Sequence, residues 1–159
     1  MHQTHNTLSE NIRTRSVDLL NRHLSAAIDL QGQLKQAHWN VRGPGFIAIH
    51  ELFDKLAGET AGHADSIAER VGGLGGTAQG TVQIAAAQSF LVPYPHGIAN
   101  ESEHLFAIAS SLAAFGQSVR DAVGQAAEFG DADTADLLTE VSRGVDQQLW
   151  FVESHRAPN

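Results

Sequence analysis

The sequence predicts an all-α fold: four long helices packed as a bundle, with a long connection between the second and third that has room for a short helix. Three observations lead there. Apolar residues recur at spacings of three and four over four extended stretches, which is the period of an amphipathic helix. No stretch shows sustained two-residue alternation. Glycine and proline punctuate the gaps between stretches, and one gap, from Gly75 to Ala99, is far longer than the others.

The first stretch carries Val17, Leu20, Leu24, Ala27, Ile28, Gln31, Leu34 and His38 on one face and runs to about Asn40. Thr7-Leu8-Ser9-Glu10 has the spacing of a capping box, so this helix, or a short turn ahead of it, starts there. Gly43-Pro44-Gly45 breaks the chain. A second helix begins near Phe46 and stops at the paired Gly72-Gly73. Between Gly75 and Ala99 the residues are mostly those of loops, with Val82 to Leu91 the candidate short helix. Asn100 and Glu103 cap a third long helix bearing Leu105, Ile108, Leu112, Phe115, Val119, Ala122 and Ala126. After Gly130-Asp131-Ala132-Asp133 a fourth long helix starts about Thr134, capped by Asp133, with Leu137, Leu138, Val141, Val145, Leu149 and Val152 facing inward. A bundle with one long crossover has the ferritin-like topology rather than the simple up-down one. The expected organisation is a tail over 1–13, one bundle domain over 14–155 and a short tail over 156–159.

At 159 residues, with 42% hydrophobic and 18% charged, the chain has the size and composition of one domain with a real core. Acidic residues outnumber basic ones 18 to 10, for a formal net charge of -8. Only Lys35 and Lys55 are lysines and the arginines are scattered, which disfavours binding to nucleic acid through a basic face. The absence of cysteine excludes disulfides, thiolate catalysis and Cys-type zinc or iron–sulfur sites. A bound metal must therefore use carboxylates and some of the nine histidines. No apolar run is long enough to cross a bilayer, and the polar start, Met1-His2-Gln3-Thr4-His5-Asn6, does not read as a secretory signal. The expected location is the cytoplasm, including the nucleoid if DNA is contacted.

The second helix carries the informative constellation. Taking His50 as zero and advancing about 100° per residue, Asp54 falls near 40°, Asp65 near 60° and Glu69 near 100°. All four lie on one narrow stripe, as two i, i+4 pairs that can each converge on one ion. A solvated helix face accounts for either pair taken alone. Asp54 and Asp65 are separated by about 16 Å along the axis, so no single metal touches both. The chain thus carries two half-sites, and a two-fold dimer with antiparallel second helices would set one subunit's His50/Asp54 opposite its partner's Asp65/Glu69. Ala57, Ala61, Ala64 and Ala68, beside the stripe, leave room for such a neighbour. His38, at the end of the first helix, joins the set by spacing, although a histidine there also suits the helix dipole.

Lys35-Gln36-Ala37-His38-Trp39-Asn40-Val41-Arg42-Gly43, the run from Phe46 through His50-Glu51-Leu52-Phe53-Asp54, and Asp65-Ser66-Ile67-Ala68-Glu69-Arg70 closely resemble the Dps family of mini-ferritins. The combined spacing His-x11-His-x3-Asp-x10-Asp-x3-Glu is that family's ferroxidase signature. The match continues in Leu74-Gly75-Gly76-Thr77-Ala78-Gln79-Gly80-Thr81, Asp133-Thr134-Ala135-Asp136, Ser142-Arg143 and Leu149-Trp150-Phe151. The resemblance implies a twelve-subunit shell with tetrahedral symmetry, built from two-fold dimers. It implies an iron site, di-iron or mono-iron, at the two-fold interface, with His38, His50 and Asp54 from one subunit and Asp65 and Glu69 from the other. It further implies oxidation of Fe²⁺ with hydrogen peroxide and storage of ferric mineral, as protection against oxidative damage. Trp39 matches a position that traps stray oxidising equivalents, and a tryptophan packed at an interface accounts for it equally.

The family lines the three-fold pores through which iron enters with acids near the start of the last helix. Asp136 is the best candidate here, followed by Asp131, Asp133 and Glu140. Glu101-Ser102-Glu103-His104 has the Glu-x-x-His spacing of intrabundle di-iron sites but no second copy, so a surface position is expected. His63 falls opposite the stripe. His2 and His5 are expected in a solvated tail, with capture of a transition metal as the alternative. Family members that bind DNA directly carry lysine-rich tails, which this chain lacks at its start and at His155-Arg156-Ala157-Pro158-Asn159. Direct DNA binding is therefore disfavoured, and a DNA-compacting role with the shell as scaffold remains the second reading.

Overall fold

A computed structural model describes residues 1–156; residues 157–159, the end of the expected C-terminal tail, lie outside the described residues. Five helices run in chain order: α1 (Glu10–Asn40), α2 (Phe46–Gly73), α3 (Val82–Gln88), α4 (Glu101–Phe129) and α5 (Ala132–Glu153). The four long ones form the bundle. α1 packs chiefly on α2 and α4 chiefly on α5, contacts of α1 with α4 and of α2 with α5 close the bundle, and α3 lies on α1. The expected all-α bundle with a short helix in its long connection is the observed one. No helix among the described residues is long and apolar enough to cross a membrane.

The core is continuous along all four long helices. Leu20, Leu30, Leu34, Phe53, Leu56, Ile67, Ile108, Leu112, Phe115 and Leu138 are fully buried, each worth about 1.5–3 kcal/mol by removal from water. Gly130 closes α4 with φ +85, the left-handed conformation that glycine adopts without steric cost, and its N–H caps Ala126 and Ala127.

Three local expectations are corrected. The residue capping α1 is Ser9, whose hydroxyl accepts from the Ile12 N–H, and the helix starts at Glu10 without a Thr7 box. α5 starts two residues earlier than expected and is capped by Asp131, not Asp133. Asp131 is 1% exposed, accepts from the Thr134 N–H and hydroxyl, and pairs with Arg70 of α2 at 2.7 Å. Burial alone would push its carboxyl up. The hydrogen bonds from Thr134, the neighbouring Ser16 hydroxyl and the Arg70 charge outweigh burial and hold it below the usual range. The first residues are also docked: the His2 N–H donates to the Gly75 carbonyl at 2.7 Å, and Arg13 bonds the carbonyls of Leu8 and Leu74.

Two histidines, His23 and His104, are buried in the bundle and a third, His63, is partly buried. His23 is 2% exposed; its Nδ1–H donates to the Leu19 carbonyl at 2.8 Å and its Nε2 accepts from the Ser118 hydroxyl at 3.0 Å, tying α1 to α4. Burial lowers the pKa of His23, of His63 and of His104. In the unfolded chain these rings take a proton near 6.5, while the folded chain resists it. Their contribution to stability is therefore complete above pH 6.5 and is lost as the pH falls. The urea midpoint should drop between pH 7.5 and pH 5.5, and an unchanged midpoint would show that the rings protonate freely in the folded chain.

Candidate metal centre

His38 and His50 face each other across the α1–α2 turn in a reciprocal arrangement. His38 Nδ1 lies 2.8 Å from the His50 carbonyl oxygen, and His50 Nδ1 lies 2.8 Å from the His38 carbonyl oxygen. A carbonyl only accepts, so both Nδ1 atoms donate, and Nε2 is the nitrogen each ring has left to offer a metal. The rings stack at 3.8 Å between centroids, tilted by 20°, with Phe46 against His50 at 4.9 Å. Locking Nδ1 to a backbone carbonyl is how proteins commonly orient a histidine whose Nε2 takes a metal.

Asp54 lies one turn beyond His50 and is exposed. The Lys35 ammonium sits 2.6 Å from its Oδ1. That hydrogen bond, with the Lys35 charge behind it, holds the Asp54 carboxyl below its ordinary range. Lys35 escaped the sequence reading, although its position three residues before His38 placed it on the same face.

α2 is unbroken from Phe46 to Gly73, so Asp65 and Glu69 stand on its exposed side, Asp65 about 16 Å further along than Asp54. The structure brings His38 and His50 together, sets Asp54 one turn beyond His50, and leaves Asp65 and Glu69 apart from them. Among the described residues, no three His, Asp or Glu side chains gather closely enough to hold a cation within one subunit. The stripe between the two groups is bare. A Cβ added at Gly58 or Gly62 would meet nothing within 4 Å. Of the alanines expected to make room there, Ala57 and Ala64 are buried in the subunit's own core. The clearance is provided by glycines, whose four-residue spacing was the signal to look for.

The other candidate residues separate cleanly. Trp39 is 67% exposed beside His38, with Lys35 Nζ 5.7 Å from its ring. The Asp131 carboxylate is committed to Arg70 and Thr134, leaving Asp133, Asp136 and Glu140 as the exposed acids among the pore candidates. His63 is half-buried against Gly144 of α5, with Glu59 and Glu140 close enough to pull its pKa against the effect of burial. Glu101 and His104 are not on the surface as expected. Glu101 Oε2 accepts from the Gly45 N–H at 2.9 Å, in a space that a Cβ at Gly43 would fill. His104 is 1% exposed.

Comparison with known proteins agrees along the whole chain. The ferritin-like domain family matches residues 17–157. A DNA protection during starvation protein from Agrobacterium fabrum is 42% identical over 97% of this chain and 95% of its own length. Among solved structures, DpsC from Streptomyces coelicolor superposes with a TM-score of 0.92 at 33% identity, covering 99% of this chain and 93% of that one. The Dps of Microbacterium arborescens in a high iron form gives 0.87 at 32% identity, covering 94% and 97%.

Proposed function

The chain belongs to the Dps family of ferritin-like proteins, and from that premise we propose that it is a ferroxidase and iron-storage protein that oxidises Fe²⁺ preferentially with hydrogen peroxide. Family membership supports iron storage and protection of DNA from oxidative damage. The observation that carries the finer reading is the reciprocal His38–His50 lock, which commits both Nδ1 atoms to the backbone and leaves both Nε2 atoms for a metal, one helical turn from Asp54.

Iron is the substrate and cargo. In this reading Fe²⁺ binds His38, His50 and Asp54 of one subunit and Asp65 and Glu69 of the partner subunit, supplied by a two-fold pairing of antiparallel α2 helices. The bare Gly58–Gly62 stretch supports such close approach. Trp39, Phe106 and Trp150 are each more than half exposed on the single chain, and exposed aromatics of that size favour burial between subunits of a twelve-fold shell. Asp136, Asp133 and Glu140 then line the pore through which Fe²⁺ enters, concentrating cations by their charge. Two ferrous ions deliver two electrons to one peroxide, giving two ferric ions and, with two protons, two waters. The protein supplies proximity and carboxylates that favour the ferric product. Protection of DNA follows from removing the reactants and needs no contact with DNA, which the net charge of -8 per chain disfavours.

The test is anaerobic Fe²⁺ loading of the assembled protein followed by peroxide. One peroxide should be consumed per two Fe²⁺, without spin-trapped hydroxyl radical, and ferric mineral should remain inside a twelve-subunit particle. One-to-one consumption with radical release would refute the reading.

A cation arriving at Asp54 must displace the Lys35 ammonium. Lys35→Gln should therefore tighten binding of Zn²⁺, a redox-inert probe, by about two- to five-fold in calorimetry, the range of an exposed ion pair. Unchanged or weaker binding would mean that Lys35 does not compete.

A further inference from the structure

Tyr94 is the chain's single tyrosine, and its hydroxyl lies 2.6 Å from Nδ1 of His104. A partly buried phenol ordinarily donates to some acceptor. Here the acceptor is a basic nitrogen in the protein interior, and the other ring nitrogen, Nε2, is buried with no hydrogen-bond partner. Burial disfavours the charged imidazolium and outweighs the opposing pull of the Ile98 backbone, Glu103 and the Asn40 backbone, so the resting ring offers the phenol an Nδ1 lone pair at 2.6 Å. Burial also pushes the phenol up, so tyrosinate does not form by simple ionisation. An electron can leave this phenol readily only if its proton moves to His104 at the same time.

The pair is fastened to the end of α1. The Arg42 N–H donates to the Ala99 carbonyl at 2.8 Å and the Glu101 N–H to the Arg42 carbonyl at 3.1 Å. Asn40, whose backbone acts on His104, follows Trp39 directly and is two residues from His38, a Cα span of at most about 7 Å.

We propose that Tyr94 and His104 form an internal trap for one-electron oxidants produced at the His38–His50–Asp54 half-site. This rests on the reading of that half-site as the place where Fe²⁺ meets peroxide. When a single Fe²⁺ reduces peroxide by one electron, the products are Fe³⁺, hydroxide and hydroxyl radical. The radical takes one electron from Tyr94, directly or through Trp39, and becomes hydroxide, while the phenolic proton passes to His104 Nδ1. Tyrosyl radical and imidazolium result. A second Fe²⁺ returns one electron and becomes Fe³⁺, and the proton returns from His104 to the phenol. The sum is two Fe²⁺ and one peroxide converted to two Fe³⁺ and two hydroxides, with the protein unchanged.

Because there is one tyrosine, a tyrosyl signal reports its own position. The assembled protein is oxidised in two arms and examined by freeze-quench electron paramagnetic resonance: Fe²⁺ with peroxide, and photogenerated ruthenium(III) tris-bipyridyl without iron. Both arms should give a tyrosyl signal in the wild type. Tyr94→Phe, which keeps the ring and its packing, should abolish it. His104→Asn should cut the rate of light-driven tyrosyl formation at least ten-fold and reduce its solvent deuterium isotope effect, a readout that a purely structural role would not move. No tyrosyl signal in the light-driven arm, or full rate and isotope effect in His104→Asn, overturns the trap. So does a signal confined to the light-driven arm while Fe²⁺ is oxidised at the normal rate, a result that leaves the ferroxidase reading standing. Absence of protein-accelerated Fe²⁺ oxidation in the Fe²⁺–peroxide arm would instead count against the ferroxidase reading.

Discussion

Replacing His50 and Asp54 together by alanine is expected to slow peroxide-dependent Fe²⁺ oxidation by about a hundredfold or more, since loss of groups that merely orient ligands already costs about 10–100-fold. Both side chains lie at or near the surface, and the residue 50 carbonyl that anchors His38 survives the substitution, so the bundle should stay folded. Asp65→Ala with Glu69→Ala should lose as much. Mixing the two double variants distinguishes a shared site from two separate ones. In a mixed pair, one of the two sites lacks every altered ligand and the other is intact. Random reassembly should thus restore about a quarter of wild-type activity. No restoration in reassembled mixtures would place the two halves in different sites.

Arg70→Ala is expected to cost about 3 kcal/mol of folding stability. Removing one partner of a buried ion pair costs about 3–5 kcal/mol because the remaining charge stays desolvated, and the slight exposure of Arg70 argues for the lower end. Arg70 also donates from Nε to the Thr134 hydroxyl at 3.0 Å, so the change disturbs the cap of α5 as well as the pair. Asp131→Asn, which keeps an acceptor for the Thr134 N–H, should cost less. Urea unfolding of the two variants checks the order. A loss below about 1 kcal/mol for Arg70→Ala would mean that water reaches Asp131.

The helices could be read from the sequence because their apolar period is local and the residues at or beside their ends, Gly45, Gly73, Asn100 and Gly130, are those that helix termini need. The errors lie where a distant contact decides between similar neighbours. Asp131 and Asp133 are both able to cap α5, and Arg70, 61 positions earlier, makes the first of them the cap. Glu101 and His104 look like surface residues until the Gly45 N–H and the Tyr94 hydroxyl are brought to them by the loops. In the candidate site, the spacing of His38, His50, Asp54, Asp65 and Glu69 was legible because α2 is one continuous helix. The carbonyl locks and the Lys35 contact were not, since they depend on how the end of α1 meets the start of α2.

That meeting has a thermodynamic consequence. Each imidazole is held by the main chain of the other's residue, so neither ring can be set without docking α1 on α2. Ligand orientation is completed by folding itself, before a partner subunit or a metal arrives. Cation affinity and the α1–α2 docking equilibrium are then linked functions: divalent ions should raise the melting temperature, and a core substitution between α1 and α2, far from any ligand, should weaken cation binding in proportion to the fraction of chains it leaves undocked.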